Sequence, residues 1–208
     1  MRPPIAPGQS LSFADYFKLN IATDEVVGYF GYTFAAKTLA LPRSTGTIAW
    51  LGDLHQRLSE SLPLVSLTSE AARREFLIAP ILIDLARYFQ VKVRVEYPLK
   101  VSEQLQGTLD YYLQAQQQLL VIEAKNADLE RGFTQLATEL IALNLWTDST
   151  VPILYGAVSI GNVWQFGTLE REQKHITQDL NLYRVPADLE DLLHILIAIL
   201  APEALQAS

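Results

Sequence analysis

GTLDYYLQAQQQLLVIEAK, residues 107–125, is the stretch that decides the fold of this chain. Its two flanks alternate in the manner of half-buried strands around a polar centre, which predicts a β-hairpin. Glu123 and Lys125 are two residues apart, so both point to the same face of the second strand. If the loop is tight and centred near the glutamines at 116–117, Asp110 lies opposite Glu123 on that face. Burying these charges beside apolar residues is costly unless they pair or hold a cation.

This arrangement resembles the PD-(D/E)xK nuclease superfamily, whose members have the restriction-endonuclease-like fold. The signature of the superfamily is an acid on one strand and then an acid, any residue and lysine on the next. Asp110 matches the first acid, and Glu123-Ala124-Lys125 matches the second part. The usual proline before the first acid is absent, since Leu109 stands there, but that position varies in the superfamily. The structural alternative is a solvated strand end with a Glu/Lys surface pair, which contributes little stability.

The resemblance implies a metal-dependent nuclease, a Mg²⁺-dependent endonuclease that hydrolyses phosphodiester bonds of DNA. Asp110 and Glu123 would bind Mg²⁺ or Mn²⁺, hard cations that prefer carboxylate oxygens. The cation would activate a water molecule and neutralise charge on the scissile phosphate. Lys125 would orient that water or stabilise the transition state. Glu70, from the first core helix, would complete the metal shell, and Gln135 would lie beside the active site.

Two of these residues have an equally good structural interpretation. Glu70 fits an acid placed at a helix N-terminus, where it interacts favourably with the helix dipole. Glu75 is a weaker substitute for Glu70 in the metal role. Gln135 fits an exposed glutamine on the surface of its helix.

The order of predicted elements is helix, three strands, helix, strands and helix. This order indicates an α/β protein with an open mixed β-sheet flanked by helices, the layout expected of the restriction-endonuclease-like core. Pro80 lies within the first helix and predicts a kink or a loosened turn there. The predicted elements are a helix from a cap at Thr68 or Ser69 to Phe89, a strand over 91–101, the hairpin, a helix capped by Asn126 or Asp128, strands over 151–160, 163–166 and 177–185, and a closing helix that begins at Pro186 or Asp188 and runs through Leu200.

Residues 1–67 are predicted to be an N-terminal extension that packs on the core, and residues 68–208 to be the restriction-endonuclease-like domain. The extension is rich in aromatic residues between Phe13 and Phe34 and carries an amphipathic helix over 50–62. Aromatic residues this close together more often form a core than a base-stacking platform. The extension lies outside the minimal nuclease fold.

Composition limits the choice of compartment and partner. Half of the 208 residues are hydrophobic, no cysteine is present and the formal net charge is −7. The lack of disulfides fits a reducing cytoplasm, and the most apolar helix, over 192–200, is too short to span a bilayer. A negative net charge disfavours a broad nucleic-acid footprint, but residues 70–100 carry six Lys/Arg against four Asp/Glu. DNA is therefore expected to bind weakly, near this segment, and no membrane partner is expected. A homodimer is left open.

A second functional hypothesis is a non-catalytic nuclease-like scaffold that acts as a protein-interaction or regulatory module. The acidic charge and the aromatic N-terminal segment favour a protein partner. The three intact signature residues disfavour a degenerate site. The three histidines have no neighbouring acid or nucleophile motif, which disfavours histidine-based catalysis.

Overall fold

The computed structural model describes residues 5–6, 8–115, 118–125 and 128–201, and within these residues eight strands form one open mixed sheet flanked by helices. The helices are α1 Phe13–Lys18, α2 Thr23–Tyr29, α3 Leu51–Ser61, α4 Glu70–Arg73, α5 Ala79–Phe89, α6 Leu129–Trp146 and α7 Leu189–Leu200, with a 3₁₀ turn at Leu62–Leu64 and a π-helical turn at Arg74–Ile78. The strands are β1 Thr33–Lys37, β2 Val93–Ser102, β3 Leu105–Ala115, β4 Gln118–Ala124, β5 Ile153–Ser159, β6 Val163–Glu170, β7 His175–Asp179 and β8 Tyr183–Arg184.

The strand order across the sheet is β1-β7-β6-β5-β4-β3-β2, with β8 paired to β6. The β4/β5 and β1/β7 pairs are parallel, and the other pairs are antiparallel. Helix α6 connects the parallel strands β4 and β5, as parallel neighbours require a crossover connection. The predicted α/β class, an open mixed sheet flanked by helices, is confirmed. None of the described helices is both long and apolar enough to cross a bilayer.

The predicted hairpin is formed by β3 and β4. Its antiparallel register pairs Tyr111 with Ile122 and closes with Ala115 opposite Gln118. The predicted turn residues Gln116 and Gln117 lie outside the described residues. Continued by one pair, this register sets Asp110 across from Glu123, at the end of the hairpin where β4 leads toward α6.

The helix that precedes the hairpin is continuous from α4 to α5 but contains a wide turn. The Ser69 hydroxyl caps its start and accepts a hydrogen bond from the Ala72 amide at 3.1 Å. The π-helical turn at Arg74–Ile78 ends two residues before Pro80. Proline lacks an amide hydrogen and its ring crowds the carbonyl four residues earlier, which favours such a widened turn. The loosened turn expected at Pro80 is thus present.

Helix α6 lies unusually close to the sheet because glycines face it. A Cβ atom on Gly156 of β5 would lie 2.7 Å from Leu136 Cδ1, and one on Gly167 of β6 would lie 2.6 Å from Phe133 Cε2. The helix is buried continuously from Gly132 to Leu143. Its polar side chains on the sheet side are therefore held in the protein interior.

Two features of the fold differ from the sequence-based expectation. Residues 33–37 form an edge strand, β1, that was not predicted and that pairs with β7 in parallel. The single strand expected over 177–185 is wrong, because β7 ends at Asp179 and β8 begins at Tyr183. The buried Asp179 carboxylate holds the turn between them, where it accepts a hydrogen bond from the Asn181 amide at 3.1 Å. The cap of α6 is Asp128, one of the two residues predicted for this position, and it accepts a hydrogen bond from the Arg131 amide at 3.1 Å. The other candidate, Asn126, lies outside the described residues.

The N-terminal segment packs on both sides of the core. Helices α1 and α2 contact α6, and α1 also contacts β3. Leu54 and Leu58 of α3 are buried in a cluster with residues of the helix over 70–89. Residues 13–61 therefore supply three helices and one strand of the sheet.

Candidate active site

Glu123 and Lys125 lie at the C-terminal end of β4, in the interior of the protein. Glu123 is fully buried, and the Lys125 side chain is 12% exposed. The two side chains form an ion pair, and the Lys125 amide donates to the Ser159 carbonyl of β5 at 2.7 Å. A solvated surface pair at this strand end is excluded by this burial.

A second glutamate, Glu139 of α6, lies beside Glu123. It is fully buried, and its Oε1 accepts a hydrogen bond from Gln135 Nε2 at 2.9 Å. Glu139 is close enough for its negative charge to act on the Glu123 carboxyl. Apart from the Lys125 ion pair, no amide, guanidinium or hydroxyl group among the described residues donates to Glu123 or to Glu139 Oε2.

Burial raises the pKa of both glutamates, because the charged form loses its hydration. The pKa of Glu139 rises to about 7, although hydrogen bonds with Glu123 and Gln135 offset part of the effect. The pKa of Glu123 rises well above its ordinary value through burial and the negative charges of Glu139 and Asp110. The charged form of each glutamate is therefore disfavoured in the folded protein.

The pKa of Lys125 reflects two opposing effects. Burial acts to lower the pKa of Lys125, but the Glu123 carboxylate, with smaller contributions from Asp110 and Glu70, outweighs burial and raises the pKa. The ammonium is therefore positively charged at neutral pH. A fixed cation of this kind can stabilise negative charge that develops on a bound group.

Asp110 is held at the edge of this cluster by an arginine. Its Oδ1 lies 3.7 Å from Arg74 Nη1, and the same guanidinium lies 3.6 Å from Glu96 Oε1. The Arg74 guanidinium also lies 5.2 Å from the centroid of the Tyr111 ring. The Asp110 charge acts on Glu123, Glu139 and Lys125 alike. Arg74 thus balances part of the negative charge of Asp110 and Glu96.

A cleft of about 460 Å³ opens beside Lys125. Glu70 lines it, half-buried, and Gln135 lines it although only 3% of that residue is exposed. The interpretation of Gln135 as an exposed surface glutamine is therefore wrong. Glu70 also occupies the first turn of its helix, as the dipole interpretation expects, and Glu75 is exposed. The structure thus places Glu70 and Gln135 on the cleft beside Lys125 and pairs Lys125 with Glu123. Asp110 lies near enough for its charge to act on Lys125.

Sequence reasoning missed two members of the cluster, Glu139 and Arg74. Glu139 lies four residues after Gln135, within the apolar run of α6 between Leu136 and Leu143. An acid inside a buried apolar helix face is a signal that could have found it. Arg74 lies four residues after Glu70 and so on the same helix face. Its partners, however, are distant in sequence.

Gly132 of α6 permits the close approach of this helix to Lys125. A Cβ atom there would lie 2.6 Å from Val158 Cγ2 and 3.2 Å from Lys125 Cγ. We expect Gly132→Ala to lower the free energy of unfolding by about 1–3 kcal/mol, because overpacking forces its neighbours to shift. Urea unfolding followed by circular dichroism would measure this change.

The matched control is Gly52→Ala in α3, where an added Cβ meets nothing within 4 Å. That variant should be as stable as the wild type or more stable by up to about 1 kcal/mol, as expected for alanine in a helix. Equal stability of the Gly132→Ala variant and the wild type would contradict the packing described here.

No group of three or more His, Cys, Asp or Glu side chains that could hold a metal ion occurs in the part of the chain that the structure describes. The comparisons with known proteins add no relative, since no family model, no curated protein and no solved structure matches the chain. The site must therefore be interpreted from its own chemistry.

Proposed function

We propose that this chain is a metal-dependent nuclease of the PD-(D/E)xK superfamily, with a restriction-endonuclease-like core, that hydrolyses phosphodiester bonds of DNA. The observation that carries the proposal is the fully buried Glu123, which is paired with Lys125 and feels the charge of a second buried glutamate, Glu139. Such a cluster costs stability in the folded protein. Unusual protonation at a cleft is more common at functional sites than elsewhere.

The oxygen ligands of the site fit a hard divalent cation. Mg²⁺ commonly binds through one or two carboxylates, with waters and substrate phosphates as its other ligands. Asp110 and Glu123 would hold it, without a third protein carboxylate among the described residues. The Glu123 carboxylate oxygens, which have no hydrogen-bond donor among the described residues apart from Lys125, would gain a partner in this way. When bound, the cation would neutralise phosphate charge and make a coordinated water a better nucleophile.

The other residues of the cluster have roles that do not depend on ligating the cation. Lys125 would stabilise the negative charge that develops on the phosphate oxygens during hydrolysis. Gln135 would fix the orientation of Glu139 through its hydrogen bond, and Arg74 would orient Asp110. Glu70 acts on Lys125 from the wall of the cleft.

Purified protein should nick or cut DNA slowly in Mg²⁺ or Mn²⁺, and should not do so in EDTA. The assay would present supercoiled plasmid, single-stranded circles and branched oligonucleotides, with products resolved by gel electrophoresis. Glu123→Gln should abolish cleavage and weaken metal binding, because a carboxylate ligand is lost. Glu190→Gln is the control, since that side chain is 71% exposed on α7.

Metal binding without cleavage of any of these substrates would contradict the nuclease proposal. Binding would be followed separately, as the metal-dependent rise in melting temperature. Cleavage that survives Glu123→Gln would assign the activity to a contaminant or to another site. DNA affinity should also fall steeply with salt, since phosphate contacts dominate such binding.

A further inference from the structure

Among the described residues that line the cleft, one is aromatic, Phe17 of α1. The Lys125 ammonium nitrogen lies 5.3 Å from the centroid of the Phe17 ring. The cleft wall therefore places a flat apolar surface next to the cation of the proposed active site.

Helix α1 holds Phe17 in a fixed position. The Leu11 amide donates to the Glu103 carbonyl at 2.8 Å, and the Tyr16 hydroxyl donates to the Gln104 carbonyl at 2.7 Å. Phe13 is fully buried against Gly107, where an added Cβ would lie 3.0 Å from its ring. The helix is thus tied to the β2–β3 connection, and Phe17 is a fixed wall of the cleft.

Charge and volume limit what can bind in the cleft. Its charged lining residues are Lys18 and Lys125 against Glu70 and Asp128, in a chain of net charge −7. A protein that holds duplex DNA by its backbone commonly neutralises about 6–10 phosphates. Two lysines among acids cannot do so. A volume of about 460 Å³ lies in the range of pockets for a single small ligand.

We propose that the cleft binds one unpaired nucleotide, with its base against Phe17 and its phosphate at Lys125. The preferred substrate is then a single-stranded DNA segment or a frayed end, not an intact duplex. Stacking of a base on an aromatic ring tolerates any sequence, because every base has a π face. This inference rests on the proposed function for the identity of the phosphate site, but the stacking step is tested without cleavage.

The test is fluorescence anisotropy with a labelled single strand and the matching blunt duplex, both in Ca²⁺. The wild type should bind the single strand more tightly than the duplex. Phe17→Ala should weaken single-strand binding by about 5- to 150-fold, the range measured for loss of one stacked base. Duplex binding should not change. Phe17→Trp should retain affinity, and Phe76→Ala, which removes an exposed aromatic ring elsewhere, should match the wild type.

Phe17→Leu separates stacking from packing, because leucine keeps an apolar side chain without a π face. Full single-strand affinity in this variant, or equal losses for single strand and duplex in Phe17→Ala, would overturn the inference. Cleavage distinguishes the two proposals. Binding through Phe17 without any cleavage leaves this inference standing and removes the nuclease function. If the protein cleaves single strand and duplex equally, and Phe17→Ala does not change either rate, the nuclease function stands and the inference about Phe17 is overturned.

Discussion

Replacing Lys125 with alanine is expected to lower the rate of DNA cleavage by about 10²- to 10³-fold, the usual effect of removing one preorganised charge-stabilising group. The ammonium is charged and held in place by the Glu123 carboxylate. Metal-dependent stabilisation of the protein should persist, because an ammonium does not ligate a cation. Single-turnover cleavage in saturating Mg²⁺, together with melting curves in Mg²⁺ and EDTA, would measure both effects.

The variant must be distinguished from an unfolded protein, since the loss of one partner of a buried ion pair costs about 3–5 kcal/mol. Lys125→Gln keeps a hydrogen-bond donor near Glu123 and should fold with a similar loss of activity. Lys100→Ala is the matched control, because Lys100 is a 60% exposed lysine that pairs with Glu103 on the surface. Wild-type cleavage by a folded Lys125→Gln variant would remove Lys125 from the proposed chemistry.

The hairpin and its register could be predicted from sequence because both rest on local rules. Period-two alternation fixes which residues share a face, and a short polar centre fixes which residues are opposite. That Asp110, Glu123 and Lys125 share one face of the hairpin follows from those two rules. The widened turn before Pro80 also has a local cause, the missing amide hydrogen of proline.

The features that sequence could not supply depend on contacts between distant parts of the chain. Strand β1 has five residues, and its partner β7 begins far along the chain, at His175. No local sequence pattern therefore marks β1 as a strand. Arg74 belongs to the cluster because the π-helical turn places its guanidinium beside Asp110 of β3, which is distant in sequence. Helical periodicity places Glu139 on a face of α6, but only the packing of α6 on the sheet shows which acid that face meets.

The burial of the cluster explains why Asp110 and Glu123 differ in environment. Arg74 and the partly open end of the hairpin surround Asp110, whose side chain is 15% exposed. Glu123 and Glu139 lie deeper, with Lys125 and Gln135 as their described polar partners. Two acids that share one cation at this depth repel each other unless a proton or another cation reduces their charge. The protonation of the deeper pair is therefore coupled to folding.

The sign of that coupling follows from the pKa of Glu139, which is about 7 in the folded protein against an ordinary value of 4.5. At a pH between these two pKa values, the Glu139 carboxyl keeps a proton in the folded protein that it has lost in the unfolded chain. The associated stability is complete below the unfolded pKa and is lost as pH rises through the folded pKa. The shift corresponds to a contribution of about 3 kcal/mol. Glu123, whose pKa is also raised, acts in the same direction.

Glu139→Gln should therefore make the metal-free protein more stable than the wild type above about pH 7, by up to about 3 kcal/mol, and similar to it near pH 5. The glutamine can still accept from Gln135 and can donate to Glu123. Urea unfolding in EDTA at a series of pH values would measure the free energy of unfolding of both proteins. Glu130→Gln, an exposed position on the same helix, should keep the wild-type pH dependence. If the stability of Glu139→Gln declines as steeply with pH as that of the wild type, protonation of Glu139 is not the source of the pH dependence.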